Sequence, residues 1–257
     1  MKIGTPELTP HTLFARETLW QSWLDVEAAL AEVQAEMGMI PATAASGIRK
    51  AATLDAIGID ALQADIAVTH APILSLTRLL ARAAGEDGAW VHWGATTQNV
   101  MQTGRILLIR EADGAIRRAL SAALLRLADL AQTHAQTLMP GRTNRQHALP
   151  ITFGFKVAGW IEELSRAVDR LDCGGRRLFV LPFGGAVGAM HAFGPQGQEL
   201  NTRLAQRFGL GTLLVPGRAI NDLFADYVVQ LSLLAMSVER IAAELYLLMT
   251  EEIGEIS

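Results

Sequence analysis

The chain has 257 residues, with 22 lysines and arginines against 26 aspartates and glutamates, so its formal net charge is -4 at pH 7. That length fits one large domain or two small ones, and half of the residues are apolar, so a sizeable core is expected. A mildly acidic chain lacks the basic face of a general nucleic-acid-binding protein, which excludes that class. A single cysteine, Cys173, cannot form an internal disulfide, and no basic segment followed by an apolar run begins the chain. We therefore expect a soluble, cytoplasmic protein that neither binds nor crosses a membrane.

The first strong pattern is an apolar stripe with the spacing of a helix, which Gly38 and Pro41 end. The stripe consists of Leu19, Trp23, Val26, Leu30, Val33 and Met37. Shorter helical patterns follow at about 44–53, 60–68 and 73–84, and residues 85–88 then predict a loop.

Three much longer helical patterns follow, at about 98–138, from Phe153 to at least Leu171, and from Phe224 to Met249. Between them, the charge-free stretch 178–198 is broken by prolines and glycines, which indicates a loop and not a membrane span. No long segment alternates with a period of two residues. The fold class is therefore all-α, with an N-terminal helical domain (1–95) and an incomplete central bundle of very long helices (96–257). Three such helices leave apolar flanks uncovered, which predicts self-association.

Three segments at helix junctions break the periodic pattern. The first, 91–99, places Thr96, Thr97, Gln98 and Asn99 at the start of a long helix, where free N–H groups and side-chain donors favour an anion such as a carboxylate. The alternative is that a threonine simply caps the helix.

The second segment, 140–150, concentrates hydrogen-bond donors that could clamp a carboxylate or phosphate, or could equally satisfy helix ends and form surface pairs. The donors are Arg142, Thr143, Asn144, Arg145, Gln146 and His147. The third segment, 181–188, is rich in glycine but lacks the spacing of a nucleotide-binding loop, so a tight turn is expected. Histidine spacing predicts no metal site, and His92 and His147 are the better acid–base candidates because they lie in polar segments.

Taken together, these segments resemble the fumarase/aspartase superfamily of lyases, nearest to the carboxymuconate cycloisomerase and adenylosuccinate lyase branch. Residues 92–99 resemble the family's HWGATSQD region, and residues 141–154 resemble its GRTxxQxAxPxTFG region. Residues 183–188 resemble the glycine loop that follows, and residues 252–257 resemble EVGEVS. The segment 24–30 with 38–41 is similar to the N-terminal helix of cycloisomerases, so the resemblance covers the chain in order.

The resemblance implies a homotetramer whose sites combine segments of different subunits. It implies reversible β-elimination, or lactonisation, of a small polycarboxylate without a cofactor. Transition-state charge then builds on a carboxylate, which calls for hydroxyl and amide donors. By position, the catalytic set is His92, Asn144 and His147. The substrate-binding set is Thr96, Thr97, Gln98, Asn99, Arg142, Thr143 and Gln146.

Some positions depart from the family pattern. Asn99 stands where Asp is usual, and Asn144 stands where hydratases and adenylosuccinate lyases have a catalytic His, which favours the cycloisomerase branch. The signature loop GSSxMPxKxNP, which carries the base serine, would follow Ser257, so these 257 residues are expected to be the N-terminal part of such an enzyme. A C–N lyase of the same superfamily and a degenerate structural or regulatory paralogue remain as alternatives.

Overall fold

The computed structural model describes residues 9–217 and 219–256. About 71% of the residues are helical and 7% lie in strands, which confirms the all-α class. The chain forms two compact units: residues up to Ala112 with Phe179–Ile220, and Asp113–Leu178 with the residues from Asn221 onwards. The domain boundary expected after residue 95 stays a prediction. No helix in the described ranges combines the length and the apolar content that a bilayer span requires.

In the first unit, six helices of the described residues precede the long one. Four of them match the predicted segments to within a few residues, and the two short ones, Pro10–Leu13 and Leu54–Ile57, are not predicted. Its helices are α1 (Pro10–Leu13), α2 (Arg16–Glu36), α3 (Ala42–Ala51), α4 (Leu54–Ile57), α5 (Ile59–Thr69) and α6 (Pro72–Ala83). A 3-10 helix, Gly85–Trp90, then replaces the loop expected at 85–88. As predicted, α2 ends just before Gly38, whose φ of 69° is in the left-handed region, and the Met39 N–H donates to the Gln34 carbonyl to close the last turn.

Helix α2 is the centre of the first unit and packs against α3, α4 and α6. Its residues Trp23, Leu24, Val26 and Leu30 are buried. The next helix, α7 (Thr97–Thr133), begins in this unit and runs against α2 at Gly104. A Cβ atom at Gly104 would lie 2.6 Å from the Ser22 Oγ, so only glycine allows this close approach.

The last part of the first unit follows the long charge-free stretch. It contains a 3-10 helix (His191–Gln196) and α9 (Gly197–Phe208), which packs against α2 and which the sequence analysis does not predict. Strand β3 (Val180–Leu181) pairs in parallel with β4 (Gly211–Thr212). The rest of 179–196 is irregular, in keeping with the expected loop.

The second unit contains the predicted packing of long helices, formed by the second part of α7, by α8 (Phe153–Leu178) and by α10 (Asp222–Leu248). Helices α8 and α10 pack along each other. The Glu244 carboxylate of α10 accepts hydrogen bonds from Lys156 and from the Trp160 indole N–H, the latter at 3.2 Å. Arg240 of α10 pairs with Glu163 of α8. Apolar packing is thus bordered by charged pairs, as is usual for a helical bundle.

Two expectations about residues 134–150 are wrong. Helix α7 ends at Thr133 and not near Leu138, and the segment expected to be a loop is a β-hairpin of β1 (Leu138–Thr143) and β2 (Gln146–Thr152). The carbonyls of His134 and Thr137 accept hydrogen bonds from the N–H groups of Gly154 and Phe153, which ties the end of α7 to the start of α8. That early turn leaves enough chain for two short strands.

A chain of polar contacts, buried at Asp113 and Tyr227 and partly exposed at its other end, joins the three helices of this unit. The Tyr227 hydroxyl of α10 donates to Asp113 Oδ1 of α7 at 2.5 Å, and Asp113 Oδ2 accepts from Arg117 at 2.7 Å. Arg117 in turn pairs with Asp172 of α8. Burial, together with the adjacent Asp113 carboxylate, raises the pKa of the Tyr227 phenol. The hydroxyl therefore stays protonated and keeps donating.

Replacing Tyr227 by phenylalanine removes this donor and leaves one oxygen of the buried Asp113 without it. We expect Tyr227→Phe to lower the free energy of unfolding by about 1–3 kcal/mol, measured by urea denaturation. The matched control is Tyr246→Phe on the same helix, because Tyr246 is 77% exposed, and it should change stability by no more than about 0.5 kcal/mol. Equal effects of the two variants would contradict the importance of the buried Tyr227–Asp113 hydrogen bond.

Candidate active site

The predicted site residues lie in both units, and each unit is described by itself. His92, Thr96, Thr97, Gln98 and Asn99 belong to the first unit, and the hairpin residues Arg142, Thr143, Asn144, Gln146 and His147 belong to the second. Within each unit, the structure brings the residues of the predicted set together.

In the first unit, the ring of His92 is held by a carboxylate from α2. The His92 Nδ1 atom lies 2.6 Å from Glu27 Oε1, and the Glu27 side chain is 0% exposed. Burial alone would lower the pKa of His92, but the hydrogen bond and the negative charge of Glu27 outweigh it, so that pKa is raised above its ordinary value. His92 thus has an environment that favours the protonated ring.

The backbone around His92 is fixed in an uncommon conformation. His92 itself has a φ of 63°, and Gly94 has a φ of 76°. A Cβ atom at Gly94 would lie 2.1 Å from the ring of Phe193, so no larger residue fits. The Trp93 carbonyl accepts a hydrogen bond from the buried Gln34 of α2 at 2.8 Å. Such backbone conformations persist where surrounding contacts hold them, which often happens at functional sites.

The side chains of Thr96, Thr97 and Gln98 lie at the start of α7. The Thr96 carbonyl accepts the Asn99 N–H, so Thr96 has the position of the helix cap. Within the described residues, however, neither threonine hydroxyl makes a hydrogen bond, and Thr97 is exposed. The hydroxyls are therefore available to an anion that approaches the positive end of the helix.

Asn99 differs from Thr96, Thr97 and Gln98 because its side chain is buried. Only 1% of its surface is exposed. Its Nδ2 atom donates to the Pro182 carbonyl at 3.0 Å, and its Oδ1 atom accepts from the Gly185 N–H at 2.9 Å. Both ends of the amide therefore hold the glycine-rich segment 181–188. In this structure Asn99 positions a loop, and its contact with a substrate stays a prediction.

The loop that Asn99 holds borders a small pocket of about 180 Å³. Gly185 has a φ of 74°, and its Cβ position would lie 3.4 Å from the Gly94 carbonyl, so the two loops are in contact. The pocket is lined mostly by glycines and alanines, with three larger residues: Gly94, Ala95, Gly184, Gly185, Ala186, Val187, Met190, His191 and Ala192. His191 is a candidate that the sequence analysis does not single out.

In the second unit, the hairpin presents its polar residues at a two-residue turn. Asn144 and Arg145 have φ values of 48° and 62°, and Thr143 pairs with Gln146 across the turn. Positive φ at both central residues defines a tight hairpin turn, and asparagine adopts it readily. Thr143, Asn144, Gln146 and His147 are exposed there.

Arg142 is less available than the sequence suggests. Its guanidinium forms a two-pronged pair with Glu255, with Nη1 at 2.9 Å from Oε2, and its Nη2 lies 3.2 Å from His147 Nε2. The hydrogen bond and charge of Glu255 raise the pKa of Arg142, and those of Arg142 lower the pKa of Glu255. Arg142 thus anchors the hairpin to the segment after α10. Its predicted contact with a substrate stays a prediction.

Sequence reasoning missed the residues of α2 that support the site. Glu27 and Gln34 are both buried and lie two helical turns apart on one face. Glu27 also follows Trp23 by four residues, in line with the apolar stripe. The available signal was a carboxylate and an amide in line with an apolar stripe, where both are expected to be buried. Buried polar groups need hydrogen-bond partners, so these two residues indicated specific contacts.

Comparison with known proteins adds a further finding. A family model described as "Lyase" matches residues 9–257. The adenylosuccinate lyase of Methanothermobacter thermautotrophicus is 35% identical over 99% of this chain and 57% of its own length. The 3-carboxy-cis,cis-muconate cycloisomerase of Bradyrhizobium diazoefficiens is 38% identical over 93% of this chain and 54% of its own length. The chain therefore spans little more than half the length of these curated relatives.

A solved structure is similar as well. The crystal structure of a fumarate lyase from Mesorhizobium sp. BNC1 superposes with a TM-score of 0.89 and 37% sequence identity. The match covers 95% of this chain and 58% of that one.

The role of the Asn99 amide in holding the glycine-rich segment 181–188 can be tested by substitution. In Asn99→Asp the side chain keeps its shape, but an ionised carboxylate cannot donate to the Pro182 carbonyl and repels it. We expect the free energy of unfolding to fall by about 1–2 kcal/mol at pH 7.5, measured by urea denaturation. The loss should shrink at pH 5, because a protonated carboxyl donates again and burial favours that form.

The matched control is Gln98→Glu, which adds the same charge one residue earlier, where the side chain is partly exposed. Both variants gain the favourable interaction of a negative charge with the N-terminal end of α7. The control should therefore be neutral or slightly stabilising. An Asn99→Asp variant as stable as this control would show that the Pro182 hydrogen bond is unimportant.

Proposed function

Since this chain belongs to the lyase family of the fumarase/aspartase superfamily, we propose that the protein acts on a small polycarboxylate by reversible β-elimination or lactonisation. The observation that carries the proposal is the start of α7, where the unbonded hydroxyls of Thr96 and Thr97 lie next to the His92 loop. That arrangement suits the recognition of a carboxylate.

In this proposal, Thr96, Thr97 and Gln98 bind one carboxylate of the substrate, and His92 orients it. In the eliminating direction, a proton leaves the carbon next to a carboxylate, negative charge accumulates on that group, and a C–O or C–N bond breaks. In lactonisation the same steps run in reverse, so a carboxylate oxygen forms the C–O bond and the carbon next to the other carboxylate gains a proton. Hydroxyl and N–H donors aimed at the carboxylate stabilise this charge most in the transition state. The chemistry needs proton transfer and charge stabilisation, so the proposal includes no cofactor or metal. The base serine belongs to the family's signature loop, which this sequence does not contain.

The substrate class follows from what the relatives' substrates share. Adenylosuccinate carries a succinyl group with two carboxylates, and carboxymuconate carries three carboxylates. A four-carbon dicarboxylate such as fumarate is therefore a reasonable probe of the common part. We favour the cycloisomerase type because Asn144, at the tip of the hairpin, cannot transfer a proton as the histidine of adenylosuccinate lyases does. The match to an adenylosuccinate lyase over 99% of the chain keeps a C–N lyase as the second candidate.

The exposed residues of the hairpin complete the proposal. In a homotetramer, Thr143, Asn144, Gln146 and His147 would contribute to a site that also uses segments of another subunit, with Arg142 holding the hairpin through Glu255. Helix α10 supports assembly, because Val228, Met236 and other apolar side chains on it are more than half exposed. The location proposed for this assembly is the cytoplasm.

The carboxylate site is tested by Thr97→Val, which replaces a hydroxyl by a methyl group of similar size. Binding of fumarate to the chain, measured by calorimetry, should be abolished, because the substituted side chain offers no donor and an apolar group then faces the anion. Helicity and assembly should not change.

The matched control is Thr133→Val, because Thr133 is an exposed threonine at the other end of the same helix. It should bind fumarate as the wild type does. Equal binding by the wild type and Thr97→Val would overturn the site. A wild-type chain that does not bind fumarate would contradict the proposed binding function and favour the degenerate structural or regulatory paralogue.

Self-association is tested by light scattering on the purified chain. The exposed apolar side chains of α10 should drive assembly or aggregation at micromolar concentration, because contiguous apolar surface of this kind is usually covered. A monodisperse monomer would contradict the proposed oligomer.

A further inference from the structure

We infer that Glu27 is a positioning residue for His92, so that a buried carboxylate of α2 sets the tautomer and the orientation of the ring that meets the substrate. This inference deepens the proposed function and rests on it for the role of His92. The contact between Glu27 and His92 is seen in the structure, so it can be tested separately from the proposed function.

The contact is short. Glu27 Oε1 lies 2.6 Å from His92 Nδ1, which is just below the usual range of a charge-assisted N–H···O hydrogen bond. A carboxylate accepts only, so Nδ1 must carry a proton. The other ring nitrogen, Nε2, makes no hydrogen bond within the described residues, and the His92 side chain is 24% exposed. Nε2 is therefore the atom left for a ligand.

The position of Glu27 is costly for stability, which argues for a role in the site. Its side chain is fully buried, and its Oε2 atom has no hydrogen-bond partner within the described part of the chain. A buried carboxylate with one unpaired oxygen loses much of its hydration without full compensation. An apolar residue of similar size at this position would pack without that cost. A functional demand on His92 explains why a carboxylate is there.

The rest of the loop makes the pair effective. Gln34, also from α2, donates to the Trp93 carbonyl, and the Phe193 ring lies against Gly94, so the backbone next to His92 is held from two sides. Glu27 then fixes the remaining freedom of the ring. Among the described residues, Glu27 is the one charged group that shifts the protonation of His92. Ligand-binding histidines are commonly oriented through the second ring nitrogen in this way.

The test uses Glu27→Gln, which keeps the size of the side chain and removes its charge. Two quantities are measured: the titration of the His92 ring by NMR of its nitrogens, and fumarate affinity by calorimetry at pH 7. We expect His92 to titrate at lower pH than in the wild type, since the raising effect of the carboxylate is lost. Fumarate should bind about tenfold more weakly, because fewer rings are charged and their orientation is less fixed.

The matched control is Glu32→Gln on the same helix. It removes the same charge five residues along, where Glu32 pairs with Arg49 and Arg207 and does not contact His92. In this control both the His92 titration and fumarate affinity should remain as in the wild type. A second variant, Glu27→Asp, retains the charge but shortens the reach, and it should lie between the wild type and Glu27→Gln.

A double variant separates positioning from a general structural effect. If Glu27 acts through His92, Glu27→Gln should weaken fumarate binding no further once His92→Asn is present. Full additivity of the two losses, or an unchanged His92 titration in Glu27→Gln, would overturn the inference. A wild-type chain that does not bind fumarate would contradict the proposed function, whereas the NMR titration would still decide whether Glu27 controls the ring.

Discussion

The hydrogen bonds of the Asn99 side-chain amide are the interactions on which the part of the candidate site in the first unit depends. One donor and one acceptor on a single buried group join the first turn of α7 to the Pro182 carbonyl and the Gly185 N–H. Because the glycine loop in turn touches the Gly94 carbonyl, the start of the helix and both loops are held in one arrangement. An amide can do this with no net charge, whereas a carboxylate offers acceptors only.

Helix α2 adds the second constraint, since it is both the centre of a core and the support of a site. Most of its buried residues are apolar, and Gly104 of α7 lies against it closely. Two of its buried polar residues, Glu27 and Gln34, contact consecutive residues of one loop, His92 and Trp93. Apolar packing fixes where the helix lies, and the two polar groups transfer that position to the loop. Such support by a rigid element is what a preorganised site requires.

Much of the fold could be predicted because helical spacing is visible in the sequence. The long apolar stripes gave α2, α7, α8 and α10, and the motif resemblance to the lyase superfamily is confirmed by the family match over residues 9–257. The hairpin could not be predicted in the same way. Its strands carry Pro140 and Pro150 opposite each other, and mixed polar residues hide the alternation that identifies a strand.

The candidate site was predictable only as a set of segments. The residue types indicated that hydrogen-bond donors lie at the start of α7 and in the hairpin. They did not indicate which groups these donors contact. Arg142 is separated by 113 residues from Glu255, and Glu27 by 65 residues from His92, so neither pair follows from local spacing. Glu27 falls in line with an apolar stripe, which indicates burial, but the stripe does not show which residue the carboxylate contacts. Contacts between residues far apart in the sequence decide which polar residues hold the site in place and which remain available to bind a ligand.

The division into two units also separates the chromophores. The first unit holds four of the five tryptophans, namely Trp20, Trp23, Trp90 and Trp93. The second unit holds Trp160 and both tyrosines, Tyr227 and Tyr246. Indole fluorescence therefore reports mainly on the unit that contains His92, and Trp93 is its immediate neighbour. Phenol absorbance reports on the helices of the other unit, so the chain carries separate optical signals for its two halves without any label.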